Sequence, residues 1–363
     1  MKVAIIGGGI AGLAIGWRLA QAGADVTIIE RAEPGAAATR AAAGMIAVAG
    51  ETAGAPQAEI EFARHASDLW PVFASELESA SGQRVSYLRN GALLVLKAGE
   101  AIQNELGVTL VSRNEALALE PMLTGEYARI ALAPREAQVD NRALGPALAQ
   151  AFTRAGGKLV RDAAAAIIVD RGRAVGVACA RDHHKADAVL VAAGAWSAGL
   201  QNLPRELRAG VKPIKGEMIA VAPAEPGPRL GRVIRSARAY LVPRGDRIVV
   251  GATVVDTGFD ASLSGAVARE LFDAAVELLP GLASWNCAEH WAGLRPGSPD
   301  NLPLLGKTSV EGLYAATGQF RNGILFAPAI ADLLCRVILR QASVPVEFDP
   351  RRFGSAADTC ANP

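Results

Sequence analysis

The stretch "WAGLRPG", Trp291 to Gly297, places Arg295 in an otherwise apolar run bounded by glycine. A guanidinium stays charged at physiological pH and binds a carboxylate through two parallel hydrogen bonds. Two interpretations follow: Arg295 holds the carboxylate of a bound molecule, or it forms a structural ion pair with one of the 36 acidic residues. The residues alone leave both open. Pro296 and Gly297 predict that a turn carries this arginine.

A glycine-rich segment near the amino terminus has the spacing of a dinucleotide site. In "KVAIIGGGIAGLAIGWRLAQAGADVTIIE", Gly7, Gly9 and Gly12 fit G-x-G-x-x-G between an apolar strand and a helix. These glycines allow a tight turn, the approach of a pyrophosphate and close packing of the helix on the strand. The next strand ends in Glu30, placed to bind a ribose hydroxyl and to repel a 2′-phosphate. The unit therefore predicts NAD or FAD rather than NADP; the alternative is a glycine-rich turn of a ligand-free α/β fold.

A second strand–turn–helix segment, "TGQFRNGIL", predicts a helix that begins near Asn322 and Gly323. The free N–H groups and the dipole at a helix amino terminus stabilise negative charge. This favours contact with an electron-rich ligand edge. The alternative is an ordinary turn with a solvated Arg321.

The segment after the first β-α-β unit distinguishes between the two dinucleotides. A nicotinamide dehydrogenase normally continues into further β-α units. This chain continues with "PGAAATRAAAGMIAVAG", small residues together with Thr39, Arg40 and the pair Gly44–Met45. Such a segment can lie closely along an extended cofactor, which favours FAD.

This segment, "YLVPRGDRIVVGAT", "WAGLRPG" and "GQFRNGILFAP" together resemble the amino-acid oxidases of the D-amino-acid oxidase and glycine oxidase group. The resemblance runs from residue 1 to about residue 350. It implies non-covalent FAD and oxidation of glycine, sarcosine, D-alanine or another small amine by O2. The products would be a 2-oxo acid, ammonia and H2O2. It also implies a link to thiamine biosynthesis and a homotetramer.

Two rival functions stay open at this stage. A D-amino-acid or sarcosine-type dehydrogenase would pass its electrons to a quinone or another acceptor instead of O2. A non-catalytic flavin-binding protein or an NAD-dependent protein is the rival from another class.

The resemblance also assigns residues. Arg295 anchors the substrate carboxylate, and the Tyr240 hydroxyl is a second carboxylate donor; the alternative for Tyr240 is a sheet aromatic with a solvated hydroxyl. The substrate site further takes in Arg321, Val254 and Met45. Val254 stands where a methionine is expected and leaves room for a side chain larger than hydrogen. The expected FAD contacts are Gly7, Gly9, Ile10, Ala11, Gly12, Glu30, Arg31, Ala38, Thr39, Ala43, Gly44, Met45, Ala165, Gly194, Gln319, Phe320, Arg321, Asn322, Gly323, Ile324 and Leu325.

These residues must be positioned by an α/β fold. We expect an FAD-binding Rossmann-like domain of the glutathione-reductase type, interleaved with a smaller α+β substrate domain on a mostly antiparallel sheet. The FAD domain is expected to span residues 1–80, 138–205 and 288–350, the substrate domain residues 81–137 and 206–287, and a flexible tail residues 351–363. In "AYLVPRGDRIVVGATV", Gly245 and Asp246 predict the turn of a hairpin.

Composition excludes several other classes. The 37 Lys and Arg against 36 Asp and Glu give a net charge of +1, which argues against a nucleic-acid or anionic-membrane surface. The four cysteines lie far apart without metal-ligand spacing and are interpreted as reduced thiols. The apolar run in "MKVAIIGGGI" is too short for a signal sequence. We therefore expect a cytoplasmic enzyme with no metal site.

Overall fold

The computed structural model describes residues 1–52, 54–102, 104–225, 227–340 and 342–354. Its strands, in chain order, are β1 (Lys2–Ile6), β2 (Asp25–Glu30), β3 (Met45–Ile46), β4 (Ala92–Leu96), β5 (Thr109–Val111), β6 (Arg129–Ala133), β7 (Ala137–Gln138), β8 (Lys158–Arg161), β9 (Ala164–Asp170), β10 (Arg173–Cys179), β11 (His183–Lys185), β12 (Ala188–Val191), β13 (Lys212–Ala222), β14 (Val233–Arg235), β15 (Tyr240–Arg244), β16 (Arg247–Gly251), β17 (Asn286–Gly297), β18 (Leu304–Lys307) and β19 (Leu313–Thr317). The α-helices are α1 (Ile10–Gln21), α2 (Ala38–Ala41), α3 (Val48–Glu51), α4 (Gln57–Ser81), α5 (Arg113–Leu119), α6 (Asn141–Arg154), α7 (Arg205–Ala209), α8 (Gly265–Leu278) and α9 (Gly323–Ile338). Short 3₁₀ helices cover Asn104–Leu106, Gly194–Gly199, Pro280–Ser284, Val346–Phe348 and Pro350–Phe353.

The nucleotide sheet has the order β18-β19-β12-β1-β2-β8. β1, α1 and β2 form the predicted β-α-β unit, and β1 pairs in parallel with both β2 and β12. Only the pair of β18 and β19 at one edge is antiparallel. The strands come from the start, the middle and the end of the chain, which confirms the interleaved α/β fold.

A second, eight-stranded sheet has the order β17-β13-β16-β15-β14-β4-β6-β5. All of its pairs are antiparallel except β4 with β14, as expected for the substrate domain. β15 and β16 form the predicted hairpin, with Arg244 opposite Arg247 across Gly245 and Asp246.

Two features differ from the expectations. Arg295 lies in β17 rather than on a turn, because residues 286–297 pair along their length with β13. That pairing puts β17 in the eight-stranded sheet, although the expected boundary at residue 288 assigned most of it to the FAD domain. Residues 350–353, partly inside the expected tail, form a 3₁₀ helix in which Arg352 binds Asp300 at 2.8 Å. The rest of the expected tail, 355–363, lies outside the described residues.

Helices α1, α4, α6 and α9 bury one face of the nucleotide sheet in the largest apolar core. The α8 helix covers the eight-stranded sheet in a second core. Over the described residues, no helix has the length and apolarity needed to span a bilayer. Three of the four cysteines, Cys179, Cys287 and Cys335, are free thiols, and Cys360 lies outside the described part.

Candidate active site

A cavity of about 510 Å³ runs from the glycine loop after β1 to the inner edge of β13, β15 and β17. Most of the sequence-predicted site residues line it: Gly7, Gly9, Ile10, Ala11, Glu30, Arg31, Ala38, Thr39, Ala43, Gly44, Met45, Gly194, Tyr240, Val254, Arg295, Gln319, Phe320, Arg321, Asn322, Gly323 and Ile324. The structure thus brings the two kinds of predicted site, nucleotide and carboxylate, into one cavity.

Three expected cofactor residues do not line this cavity. Ala165 lies one residue too far along β9, where Ala163 and Ala164 take its place on the wall. Leu325 is buried in α9 and its carbonyl accepts a hydrogen bond from Trp70. Gly12 acts through packing, since a Cβ there would lie 2.0 Å from the Gly7 carbonyl oxygen.

The glycine loop is shaped to receive a phosphate-bearing ligand. Gly7 has φ +108°, and a Cβ on it would lie 2.4 Å from the Ala192 carbonyl oxygen. Gly9 caps α1, and the nearest atom to a Cβ there is the Thr39 hydroxyl, at 3.8 Å. The start of α1 is therefore open on its cavity side, the arrangement that lets a pyrophosphate reach a helix amino terminus.

Glu30 is held in place by the same loop. Its carboxylate accepts the N–H of Gly8 at 2.6 Å and the N–H of Ala32 at 2.8 Å. Thr39 accepts the N–H of Ile10 at 3.0 Å, which ties the small-residue segment to the first turn of α1. These bonds fix the end of β2 and the small-residue segment relative to the glycine loop and the first turn of α1.

Buried polar atoms at the start of α9 face the cavity wall without partners. Within the described residues, Nε2 of Gln319 and Oδ1 of Asn322 are buried and make no hydrogen bond. Nδ2 of Asn322 donates to the Glu59 carboxyl at 2.8 Å, and this bond fixes the orientation of the amide. Burial raises the pKa of Glu59. Unpaired buried polar groups cost free energy unless a ligand supplies a partner.

Arg295 presents its guanidinium to the same cavity. Nη1 donates to the Thr253 carbonyl at 3.0 Å, and the guanidinium packs on Gly216, where a Cβ would lie 2.1 Å from Nη1. Over the described part of the chain Arg295 forms no ion pair with an acidic side chain. The backbone after Arg295 contacts the segment before α9, because the Pro296 carbonyl accepts the Phe320 N–H at 2.9 Å.

Tyr240 lies beside Arg295 on β15. Burial raises the pKa of its hydroxyl, and the nearby guanidinium of Arg295 only partly offsets this. The hydroxyl is therefore protonated at neutral pH and acts as a hydrogen-bond donor. The Tyr240 hydroxyl also makes a weak contact with Sδ of Met218, at 3.8 Å.

An ionic cluster that the sequence did not reveal lies next to Tyr240. Glu51, at the end of α3, lines the cavity and pairs with Arg235 of β14; its Oε2 is 3.7 Å from Nη1 of Arg321. Glu136, 5% exposed, accepts the Gly50 N–H at 2.8 Å. Burial raises the pKa of Glu136 to about 7, against the opposing effects of that bond and Arg235.

The entrance side of the cavity is formed by residues of different character. Val254 lines it while remaining 50% exposed. Arg31 stacks on Trp196, with Cζ 4.2 Å from the ring centroid, and both line the cavity. Arg238 faces solvent and pairs with Glu277, so it does not reach the cavity.

The parallel nucleotide sheet, the open glycine loop and the Arg295 guanidinium in the same cavity are typical of a flavin-type dinucleotide oxidoreductase. Comparison with known proteins identifies the family: the model of the FAD dependent oxidoreductases (DAO) matches residues 2–337. The chain belongs to this family, whose cofactor is FAD. The orphaned atoms of Gln319 and Asn322 and the room at Gly9 fit that cofactor.

Individual relatives agree with this assignment. The glycine oxidase of Pseudomonas aeruginosa is 33% identical over 365 residues, 98% of either chain. The bifunctional protein ThiO/ThiG of Trichormus variabilis is 34% identical over 98% of this chain but 56% of its own length, so the chain spans about half of that relative. The crystal structure of glycine oxidase from Geobacillus kaustophilus superposes with a TM-score of 0.87 at 29% identity, covering 97% of this chain and 99% of that one.

Proposed function

We propose that the protein oxidises glycine or another small amino acid or amine, such as sarcosine or D-alanine. Substrate, O2 and water would give the 2-oxo acid (glyoxylate from glycine), H2O2 and ammonia, or methylamine in place of ammonia when the substrate is sarcosine. One observation carries the proposal: the Arg295 guanidinium, unpaired with any acidic side chain of the described residues, lies in the cavity that fits FAD. The glycine oxidase relatives support the same reaction.

The roles of the binding residues follow from their chemistry. Arg295 offers two parallel N–H donors to the substrate carboxylate, and Tyr240 adds a neutral donor from the same side. A bound FAD would supply the acceptor for the hydride of the amine-bearing carbon. The largely apolar lining keeps water out and strengthens the arginine–carboxylate pair. The amino terminus of α9, from Gln319 to Gly323, stabilises negative charge on the ligand that it faces.

Val254 and Met45 would set the width beside the amine-bearing carbon. Val254 is half exposed at the cavity wall, so a substrate side chain has space beside it. We therefore propose that D-alanine or sarcosine competes with glycine as a substrate.

The experiment is to measure H2O2 release and anaerobic flavin bleaching with glycine, sarcosine, D-alanine and D-proline. R295A loses both charged hydrogen bonds, and we expect KM to rise more than about 100-fold while FAD stays bound. An unchanged KM would refute the anchor role. Bleaching by substrate without H2O2 release in air would instead identify the quinone-linked dehydrogenase.

Three further attributes are part of the same proposal. We propose a homotetramer, a cytoplasmic location and a role in thiamine biosynthesis, the last supported by the ThiO/ThiG relative. Light scattering of the holoenzyme tests the mass. Growth of a thiamine-requiring strain that lacks its own glycine oxidase tests the pathway.

A further inference from the structure

Arg244 is a charged side chain that the proposed reaction does not use. It ends β15, at the tip of the hairpin in the eight-stranded sheet, and points towards the segment that lines the cofactor cavity. Burial lowers the pKa of its guanidinium to about 10. The side chain therefore keeps its charge at neutral pH in a place that disfavours it.

The guanidinium of Arg244 donates its hydrogen bonds to uncharged oxygens. Nη1 donates to the Gln138 side chain and to the Pro243 carbonyl, each at 2.7 Å. Nη2 donates to the Val139 carbonyl at 2.7 Å and to the carbonyl of Ala43. Among the described residues no carboxylate forms an ion pair with Arg244. The charged groups that influence it, Asp140 and Arg142, act in opposite directions.

Three of these acceptors lie in or next to the two short strands β3 and β7: Gln138 ends β7, Val139 follows it, and Ala43 lies two residues before β3. The fourth, Pro243, belongs to β15 itself. β3 and β7 pair through Met45 and Gln138, and the Val139 N–H donates to the Gly44 carbonyl at 2.8 Å. Arg244, which belongs to β15, binds the end of this two-stranded sheet through its guanidinium. Since Ala43, Gly44 and Met45 line the cavity, its guanidinium lies one backbone layer behind the cavity surface that these residues form.

Gly44 shows how closely the arginine is fitted. Its φ is +77°, and a Cβ there would lie 2.5 Å from Nη2 of Arg244 and 2.1 Å from the Val139 carbonyl oxygen. Position 44 therefore accepts only glycine, because the Val139 carbonyl and Arg244 occupy the space of a side chain. The fork holds Ala43 and Val139 in a fixed geometry, which a lysine ammonium cannot do at both carbonyls.

We propose that Arg244 is a positioning residue for the flavin: its fork fixes the wall at residues 43–45, and its unpaired charge favours added electron density on the ring. Such a charge acts through a low-dielectric wall and is screened little. The inference rests on FAD binding and holds for any amine substrate.

Sulfite measures the charge without any turnover. It adds to N5 of the oxidised flavin, both electrons of the new N–S bond come from sulfur, and the ring becomes more negative. In R244Q, which lacks the charge, we expect the sulfite Kd to rise about tenfold at saturating FAD, the scale for removing a unit charge one backbone layer away. In R244K, which keeps the charge, it should stay within about twofold of wild type.

The FAD dissociation constant, from reconstitution of apoprotein followed by flavin fluorescence, measures the positioning. Loss of the fork should raise it about fivefold or more in both variants, the scale of one hydrogen bond. R247M removes an exposed arginine across the same turn and should change neither constant.

Wild-type FAD affinity in both R244K and R244Q would overturn the positioning role, and a wild-type sulfite Kd in R244Q would overturn the charge role. R244K alone decides the positioning if R244Q does not fold. A protein that binds FAD and sulfite as expected but oxidises no amine would refute the proposed function and leave this inference standing.

Discussion

Replacing Gly216 with alanine tests how Arg295 is held without altering the guanidinium itself. An alanine Cβ at this position of β13 would lie 2.1 Å from Nη1, 2.3 Å from Nη2 and 2.4 Å from Cζ of Arg295. Ordinary contact begins near 3.4 Å, so the guanidinium must move by about 1.3 Å. Gly216 has no positive φ, so the backbone itself accepts alanine.

A shift of that size breaks at least one of the two hydrogen bonds that a substrate carboxylate would receive. A hydrogen bond to a charged group contributes about 1.5–3 kcal/mol, so KM should rise about 10- to 150-fold. Because the displaced atoms are the mobile end of a long side chain, unfolding temperature and FAD affinity should change little.

The assay is steady-state H2O2 release with the best amino acid, alongside thermal unfolding of the holoenzyme. G265A serves as the control, because a Cβ at the first residue of α8 meets nothing within 4 Å. A G216A enzyme with wild-type KM would refute the placement of the carboxylate at Arg295. Loss of folding or of FAD would refute the view that only the guanidinium moves.

Three other predictions follow from the same cavity and its surroundings. V254M should lower kcat/KM for D-alanine about tenfold relative to glycine, because the added length fills the space beside the amine-bearing carbon; an unchanged ratio of the two rates would contradict this. G12A should weaken FAD binding and lower the unfolding temperature, since its Cβ would lie 2.0 Å from a backbone oxygen that cannot move aside; calorimetry with and without FAD measures both effects. Glu136 has a pKa of about 7 in the folded protein against an ordinary 4.5, so its contribution to stability is present below pH 4.5 and lost as pH rises through 7. Urea unfolding from pH 5 to pH 8 should show E136Q lacking a decline on the order of 3 kcal/mol, and parallel profiles would contradict the assignment.

Local sequence signals predicted the elements whose conformation is decided locally. Gly7, Gly9 and Gly12 predicted the β-α-β unit, because only that turn needs glycine at all three positions. Gly245 and Asp246 likewise predicted a two-residue hairpin turn, and the helix start at Asn322 came from the glycines flanking "QFRN".

Long-range pairing decided what the sequence could not predict. Pro296 and Gly297 read locally as a turn, yet β17 pairs with β13, about 80 residues earlier in the chain, and Pro296 stands opposite Pro213. Glu51, Glu136 and Arg235 look like ordinary surface charges in the sequence. They are buried near Tyr240 because three segments that lie far apart in the sequence pack together there. Ala165 does not line the cavity, because the wall is formed by the preceding Ala163 and Ala164.

The hydrogen bond from the Phe320 N–H to the Pro296 carbonyl joins the residue after Arg295 to the wall that faces the flavin. In the proposed function, in which Arg295 binds the substrate carboxylate, this bond would fix the distance between that carboxylate and the bound cofactor. An α-amino acid presents its amine-bearing carbon next to the carboxylate, within that distance. In a β-amino acid the same carbon lies one methylene farther away, so we expect the protein to discriminate against β-amino acids by chain length as well as to select for the carboxylate charge.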